Sequence, residues 1–185
     1  MRSIVFLLIF LPTYAFAWGD LGHESICQMV LQELDPAVNA KIETLIDLDK
    51  FPDSCTFADH PHQNPPCHFL NLPRSAAAVA TDECPMASSC LFTALDEDLA
   101  ILKDENRSEK ARVRSSKLLG HWVGDFCQPL HISFMDDRGG NEIKERGGPC
   151  DRNLHSTWDT FIIKERIGDD FEDNAAVLTA ALDDG

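Results

Sequence analysis

Two pairs of metal-binding residue types are each spaced to share one face of a helix. His121 and Asp125 lie four residues apart, and so do His155 and Asp159. Residues at i and i+4 of an α-helix project from the same side, so each pair presents an imidazole and a carboxylate together. The repeated spacing predicts a helix at each place and indicates a metal site.

Other candidate metal ligands lie outside these pairs. His131 follows Asp125 by six residues, just past Pro129, where the helix should end. Any single histidine here is open to a simpler reading as a hydrogen-bonded core or surface residue. Two spaced pairs with another histidine nearby favour metal binding instead. The earlier candidates are His23, Asp59 and His68.

The apolar pattern is helical along most of the chain, and strand alternation is scarce. We predict an all-α class, a mainly helical single domain with long loops. The long loops cover residues 50–90 and 136–151, which hold seven of the ten prolines and four of the ten glycines. Predicted helices cover residues 20–33, 36–48, 91–102 and about 109–126, then a helix capped by Asn153 and one starting at Asp173.

The first 17 residues have the pattern of a secretory signal peptide. A positive Arg2 precedes an apolar run, and Ala15-Phe16-Ala17 is a small-x-small cleavage signal. The run is shorter than the about 20 residues needed to span a membrane. We therefore expect a secreted or periplasmic protein that has no membrane partner and is a monomer. Its mature domain would cover residues 18–185 and begin at Trp18.

The seven cysteines fit an oxidising compartment. Cys84 and Cys90 are close enough in sequence for a local disulfide, and we favour that pair. The other pairings stay open, because connectivity does not follow from sequence. None of the cysteines has C-x-x-C spacing, so we do not assign them as metal ligands.

A net charge of −15 argues against a broad surface that tracks a nucleic-acid backbone. It does not argue against a compact metal site that binds one phosphate, since bound cations reverse the local field. Cleavage after Ala17 would also bare the α-amine of Trp18. That amine and the carbonyl oxygen of the same residue can chelate one ion, with His23 close enough to reach it.

Several short motifs lie in order between Trp18 and Phe161. They are Trp18-Gly19-x-x-Gly22-His23, Ala58-Asp59, His68-Phe69, Gly120-His121-x-x-Gly124-Asp125-x-x-Gln128-Pro129-Leu130-His131, Gly139-Gly140-Asn141 and Asn153-Leu154-His155-x-x-Trp158-Asp159. In this combination the chain resembles the S1/P1 family of zinc-dependent single-strand nucleases (class I nucleases).

The resemblance implies three Zn²⁺ ions per chain. It assigns the first to Asp59, His68, His121 and Asp125. It assigns the second to the amine and carbonyl of Trp18, with His23 and the other oxygen of Asp125. It assigns the third to His131, His155 and Asp159. Asp59 and Asp125 would be catalytic, and Asp125 would bridge the close pair of ions.

The resemblance also implies the reaction. A hydroxide shared by the close pair of zinc ions would attack phosphorus, and the third ion would stabilise the departing 3′ oxygen. The expected substrates are single-stranded DNA and RNA, cleaved to 5′-nucleotides, and 3′-nucleotides, which would lose phosphate.

Four residues are expected to bind substrate. Phe69 matches the position on which members of the family stack a base. Asn71 stands where many members carry Asp, and an amide cannot act as a general base. His62 stands where we expect Arg in many members, and we expect it to be a weaker phosphate clamp. Asn141 belongs to the Gly139-Gly140-Asn141 motif.

Two other functions were weighed against the nuclease. A zinc phospholipase C shares the fold and the N-terminal Trp, but its last pair is typically His-x-x-x-Glu, whereas this chain has His155-x-x-x-Asp159. A non-catalytic secreted zinc-binding protein would hold metal without turnover. Family members usually continue for several more helices, so we expect that C-terminal helices are missing from this sequence.

Overall fold

The computed structural model describes residues 18–81, 83–146 and 152–183. The mainly helical class predicted from sequence is confirmed. The predicted signal peptide, residues 1–17, lies outside the described residues. The helices are α1 (Asp20–Glu33), α2 (Pro36–Glu43), α3 (Phe51–Ser54), α4 (Leu91–Lys103), α5 (Glu109–Cys127), α6 (Leu154–Ser156), α7 (Ile162–Arg166) and α8 (Phe171–Asp183).

Two helix boundaries differ from the prediction. Helix α2 begins at Pro36 behind its Asp35 cap as expected, but it ends at Glu43 rather than near residue 48. The Asp47 side chain accepts a hydrogen bond from the amide of Asp49 and so starts a separate 3₁₀ turn, Leu48–Lys50. Helix α8 begins before Asp173, because Asp170 accepts from the amides that follow it.

A two-stranded parallel sheet forms from Leu70–Leu72, inside the predicted loop of residues 50–90, and Ile132–Phe134, just before the predicted loop of residues 136–151. Strand β1 (Leu70–Leu72) pairs with β2 (Ile132–Phe134), and Leu70 lies opposite Ile132. A 3₁₀ turn precedes each strand, Pro65–His68 before β1 and Pro129–His131 before β2. The two turns end at His68 and His131. The strand pairing therefore brings these two histidines together.

The apolar core has two clusters. The larger lies between α4 and α5 and includes Leu91 and Leu118, both almost fully buried. The smaller joins α1 to α3 through Phe51 and the bonded pair Cys27 and Cys55. Helix α5 contacts α1, α3 and α4, so its inward face is the natural place for side chains gathered from several elements.

The favoured Cys84–Cys90 disulfide is confirmed. A second disulfide, Cys27–Cys55, settles a pairing that the sequence left open. Cys67 and Cys127 form no disulfide with a described residue, and Cys150 lies outside the described residues. Two disulfides are typical of proteins that fold in an oxidising compartment. Within the described ranges, no helix combines the length and apolarity needed to cross a membrane.

Candidate metal centre

All eight side chains predicted as metal ligands are buried and converge in three groups. In each group the ligand atoms lie within 4.8 Å of one another. The first two groups share His121, which places them side by side. The groups are His23, His121 and Asp125; Asp59, His68 and His121; and His131, His155 and Asp159.

The ligand atoms of four of these side chains lie close to one another. Nδ1 of His68 lies 3.1 Å from Nε2 of His121 and 3.2 Å from Oδ2 of Asp125. Nε2 of His121 lies 3.4 Å from the same oxygen, and Oδ1 of Asp59 lies 3.9 Å from both nitrogens. Tetrahedral zinc, with ligands at about 2.0–2.2 Å, would separate its ligand atoms by about 3.3–3.6 Å. The arrangement fits one such ion.

Each histidine of the centre except His23 has one ring nitrogen fixed by a backbone carbonyl. A nitrogen that donates to a carbonyl leaves the lone pair on the opposite nitrogen, the form that binds metal. The donors and acceptors are His121 Nδ1 to Cys55 at 2.7 Å, His68 Nε2 to Gln63 at 2.8 Å, His131 Nδ1 to His68 at 2.5 Å, and His155 Nδ1 to Gly139 at 2.6 Å.

Asp125 faces two of the groups at once. Its Oδ2 lies among His68 and His121, while its Oδ1 lies 3.5 Å from Nε2 of His23. Among the described residues, neither carboxylate oxygen has a hydrogen-bond donor and neither ring nitrogen of His23 has a hydrogen-bond partner, although all four atoms are buried. Buried polar atoms without partners cost free energy, and a cation between them would remove that cost.

Two glycines of α5 allow this close packing. A Cβ at Gly124 would lie 2.5 Å from Nδ1 of His23, and one at Gly120 would lie 2.6 Å from Sγ of Cys55. The absence of a side chain therefore lets α1 and the Cys27–Cys55 disulfide approach the helix that carries His121. Both glycines belong to the sequence motif, which by itself gives no reason for them.

The third group is built on an interrupted helix. The predicted helix capped by Asn153 forms, and Asn153 accepts from the amide of Ser156. It is not a regular α-helix, however, because a π-helical turn, Thr157–Phe161, separates α6 from α7 and carries Asp159. Such turns are frequent at functional sites. His155 Nε2 lies 3.5 Å from Oδ2 of Asp159.

Gln128 positions Asp159, a role that sequence reasoning missed. Gln128 is fully buried, and its Nε2 donates to Oδ1 of Asp159 at 2.6 Å. Its Oε1 accepts from the amide of Leu130. The residue stands in the Gln128-Pro129-Leu130-His131 motif, which was the available signal. One amide side chain thus links the turn of His131 to Asp159.

Burial shifts the pKa of three of the ligands. Burial, helped by the charge of His121, holds the pKa of His23 well below its usual value, and burial lowers the pKa of His131 to about 4. Both imidazoles are therefore neutral near pH 7, as metal binding requires. Burial raises the pKa of Asp159 to about 9, with Asp125 and Asp59 adding to the shift. A cation in the third group would return that carboxyl to its charged form.

Trp18 leads directly into α1 beside the third group. The amide of Gly19 donates to the carbonyl of Asp159 at 2.8 Å. The Trp18 side chain packs on Gly22. A Cβ at Gly22 would lie only 2.8 Å from the Cβ of Trp18. This contact explains the second glycine of the N-terminal motif. Metal binding by the amine of Trp18 stays a prediction.

Three of the four predicted substrate-binding residues lie next to the centre. His62 Nδ1 lies 3.3 Å from Oδ1 of Asp59, and its ring stacks on His68 at 4.3 Å. Phe69 and Asn71 line a cavity of about 140 Å³, and Oδ1 of Asn71 is buried without a hydrogen-bond partner. The lining also includes Pro85, Met86 and Cys90, from the loop closed by the Cys84–Cys90 disulfide.

Asn141 is held within its own loop. Its Nδ2 donates to the carbonyl of Arg138 at 2.9 Å, and its Oδ1 accepts from Nδ2 of Asn153 at 3.4 Å. The side chain thus connects the glycine loop to the cap of α6. Its predicted contact with substrate stays a prediction.

The chain is similar to a known family and to several known nucleases. The model of the S1/P1 Nuclease family matches residues 18–184. Endonuclease 2 of Arabidopsis thaliana is 28% identical over 91% of this chain and 64% of its own length. Nuclease S1 of Aspergillus oryzae is 28% identical over 85% of this chain and 58% of its own length. Nuclease P1 of Penicillium citrinum is 24% identical over 91% of this chain and 68% of its own length.

The chain thus spans about three fifths of the length of Endonuclease 2 and Nuclease S1. The family match covers nearly all of the residues from Trp18 onward and includes every residue of the three groups. The chain belongs to the S1/P1 nuclease family.

Proposed function

We propose that this chain is an exported zinc-dependent phosphodiesterase that cleaves single-stranded DNA and RNA to 5′-nucleotides and removes phosphate from 3′-nucleotides. The observation that carries the proposal is the convergence of five buried histidines and three buried aspartates in adjoining groups. Membership of the S1/P1 nuclease family supports a hydrolase acting on phosphodiester bonds. The active form would begin at Trp18.

The three groups would hold three zinc ions. Asp59, His68, His121 and Asp125 would hold the first, and the third group would hold another. His23 and Oδ1 of Asp125 would hold the remaining ion together with the amine and carbonyl of Trp18. The unpartnered buried atoms of His23 and Asp125 support this assignment, because a cation is the partner they lack.

When bound, the zinc ions would lower the pKa of a water molecule and neutralise charge on the phosphodiester. The chain's own residues do the rest. Asp125 directs one oxygen to each of two groups, which supports its role as the bridge of the centre. The carbonyls of Cys55, Gln63, His68 and Gly139 keep the imidazoles in one tautomer and one orientation.

A base next to the scissile phosphate would enter the cavity beside Phe69. The ring of Phe69 would stack on the base, and Asn71 would line the same cavity. A base inside a duplex is stacked and paired, so it reaches such a cavity only after it is extruded at a cost in free energy. This requirement gives a physical reason for a preference for single strands.

The test uses protein that begins at Trp18, analysed for metal content and for hydrolysis of single-stranded DNA with and without a chelator. We expect about three zinc ions per chain, in line with three groups, and activity that the chelator abolishes. Duplex DNA and phosphatidylcholine serve as comparison substrates. Faster hydrolysis of phosphatidylcholine would favour a phospholipase C, and zinc without turnover would favour a binding protein.

A further inference from the structure

A buried carboxylate joins α4 to α5 behind the metal centre. Asp98 on α4 is 7% exposed. Its Oδ1 accepts a hydrogen bond from Oγ of Ser115 at 2.6 Å, and its Oδ2 accepts one from the indole Nε1 of Trp122 at 2.9 Å. Both donors lie on α5 and are almost fully buried. The carboxylate therefore holds the indole of Trp122 from the neighbouring helix.

The surroundings of this carboxylate are apolar. Trp122 belongs to the larger core cluster, together with Leu91, Ala94 and Leu118. Burying a carboxylate in such a cluster costs free energy, and a well-packed apolar side chain often fills the same space at equal or higher stability. The position of Asp98 thus points to a role beyond filling the core.

Trp122 contacts His68 and His121, the two histidines assigned to the same zinc ion. Its ring centroid lies 4.9 Å from that of His68 and 5.2 Å from that of His121, with the planes nearly perpendicular in both cases. The two imidazoles are themselves perpendicular, and their facing nitrogens are 3.1 Å apart. The carbonyls described above hold the far nitrogens of these rings, while Trp122 packs against both.

We propose that Asp98 and Trp122 are positioning residues of the metal centre. The hydrogen bond from Asp98 fixes the indole, and the indole keeps His68 and His121 at the mutual angle that lets both bind one ion. Neither residue touches substrate. This inference rests on the proposed function, because it requires that the centre binds zinc.

The test measures zinc affinity by competition with a chromophoric chelator in Asp98→Ala, Trp122→Phe and the double variant. Residues that orient metal ligands typically cost 10–100-fold in affinity when replaced. We expect each single variant to bind the ion at His68 and His121 about 10–100-fold more weakly, and the double variant to lose little more, since both changes break one hydrogen bond. The visible spectrum of Co²⁺-loaded protein should shift in the same variants.

Two further variants separate positioning from stability. Asp98→Asn keeps an oxygen that can accept from Trp122, so it should retain most of the zinc affinity. Asn174→Ala is a matched structural control, because Asn174 is fully buried on α8 and donates to the carbonyl of Gly168. It should lower the Tm and leave both the zinc affinity and the Co²⁺ spectrum unchanged.

The inference would be overturned if Asp98→Ala and Trp122→Phe lowered the Tm as Asn174→Ala does, yet bound zinc as tightly as the unmodified protein. A failure of the proposed function has a different signature. In that case the unmodified protein itself would bind no zinc, or its zinc-loaded form would not cleave phosphodiesters.

Discussion

Gly124 lies directly against the imidazole of His23, so closely that a Cβ at this position would be 2.5 Å from Nδ1. Real Cβ atoms do not approach other atoms so closely, and the contact exists only because the residue is glycine. Gly124 stands one residue before Asp125, whose Oδ1 faces the other nitrogen of the same ring. The packing of α1 on α5 and the geometry of the metal centre are therefore set at one point.

Replacing Gly124 with alanine should damage the centre even though alanine favours helix by about 1 kcal/mol. The new methyl group would displace His23 from Asp125. We expect Gly124→Ala to lose zinc and at least about tenfold in kcat/KM, in line with other losses of ligand positioning. Lys110→Ala, at an exposed position of the same helix, is the control. Full zinc content in Gly124→Ala would show that His23 is not a ligand.

Activity should depend on protein that begins at Trp18, with no residue before it. If Trp18 binds an ion through its α-amine, even one preceding residue converts that amine to an amide and removes a ligand. We expect protein that starts with an added Gly before Trp18 to hold less zinc and to lose most of its activity. The same residue added after Gly185 is the control. Equal activity of the two extended proteins would contradict the assignment of Trp18.

Phe69→Ala should weaken substrate binding without loss of metal. Stacking of a base on an aromatic ring is worth about 1–3 kcal/mol, so kcat/KM for single-stranded DNA should fall roughly 5–150-fold. Zinc content should be unchanged, because the imidazole of His68 is held by the carbonyl of Gln63. Phe171→Ala, at a half-buried ring on α8, should leave kcat/KM unchanged. An unaltered value in Phe69→Ala would exclude the cavity as a base site.

Removal of metal should destabilise the fold. Without cations, the buried atoms of Asp125 and His23 lack partners, and the protein also loses the mass-action stabilisation of bound ligand. At free zinc 100 times the Kd that stabilisation is about 2.7 kcal/mol per site, so a chelator should lower the Tm by roughly 5–10 °C or more. Re-addition of zinc should restore it. Scanning calorimetry of the chelated and reloaded protein provides the measurement, and a Tm unaffected by the chelator would contradict a buried metal centre.

The closeness of two His–Asp pairs could be predicted from sequence, because side chains four residues apart share a face of a helix. His121 and Asp125 share a helix face at a separation of four, and the structure places both on the inward face of α5. His155 and Asp159 were predicted by the same reasoning, yet they lie across a π-helical turn. The two side chains still lie close together, because an α-helix and a π-helix both bring residues four apart to neighbouring positions.

The parts that could not be predicted depend on backbone atoms and on contacts distant in sequence. The carbonyls of Cys55 and Gly139 orient histidines, but a carbonyl is present at every residue and leaves no pattern. Strands β1 and β2 have three residues each, too few for alternation to be visible. Asp98 and Trp122 join two helices through a hydrogen bond. Because the two residues are 24 positions apart in sequence, no local periodicity reveals the contact.

Three zinc ions should bind this chain at the groups described above. Diffraction from crystals of protein that begins at Trp18, recorded above and below the zinc absorption edge, locates such ions directly. We predict three anomalous peaks: one enclosed by Asp59, His68, His121 and Asp125, one between His23 and Trp18, and one at His131, His155 and Asp159. Crystals without these peaks, or with zinc bound elsewhere, would contradict the account.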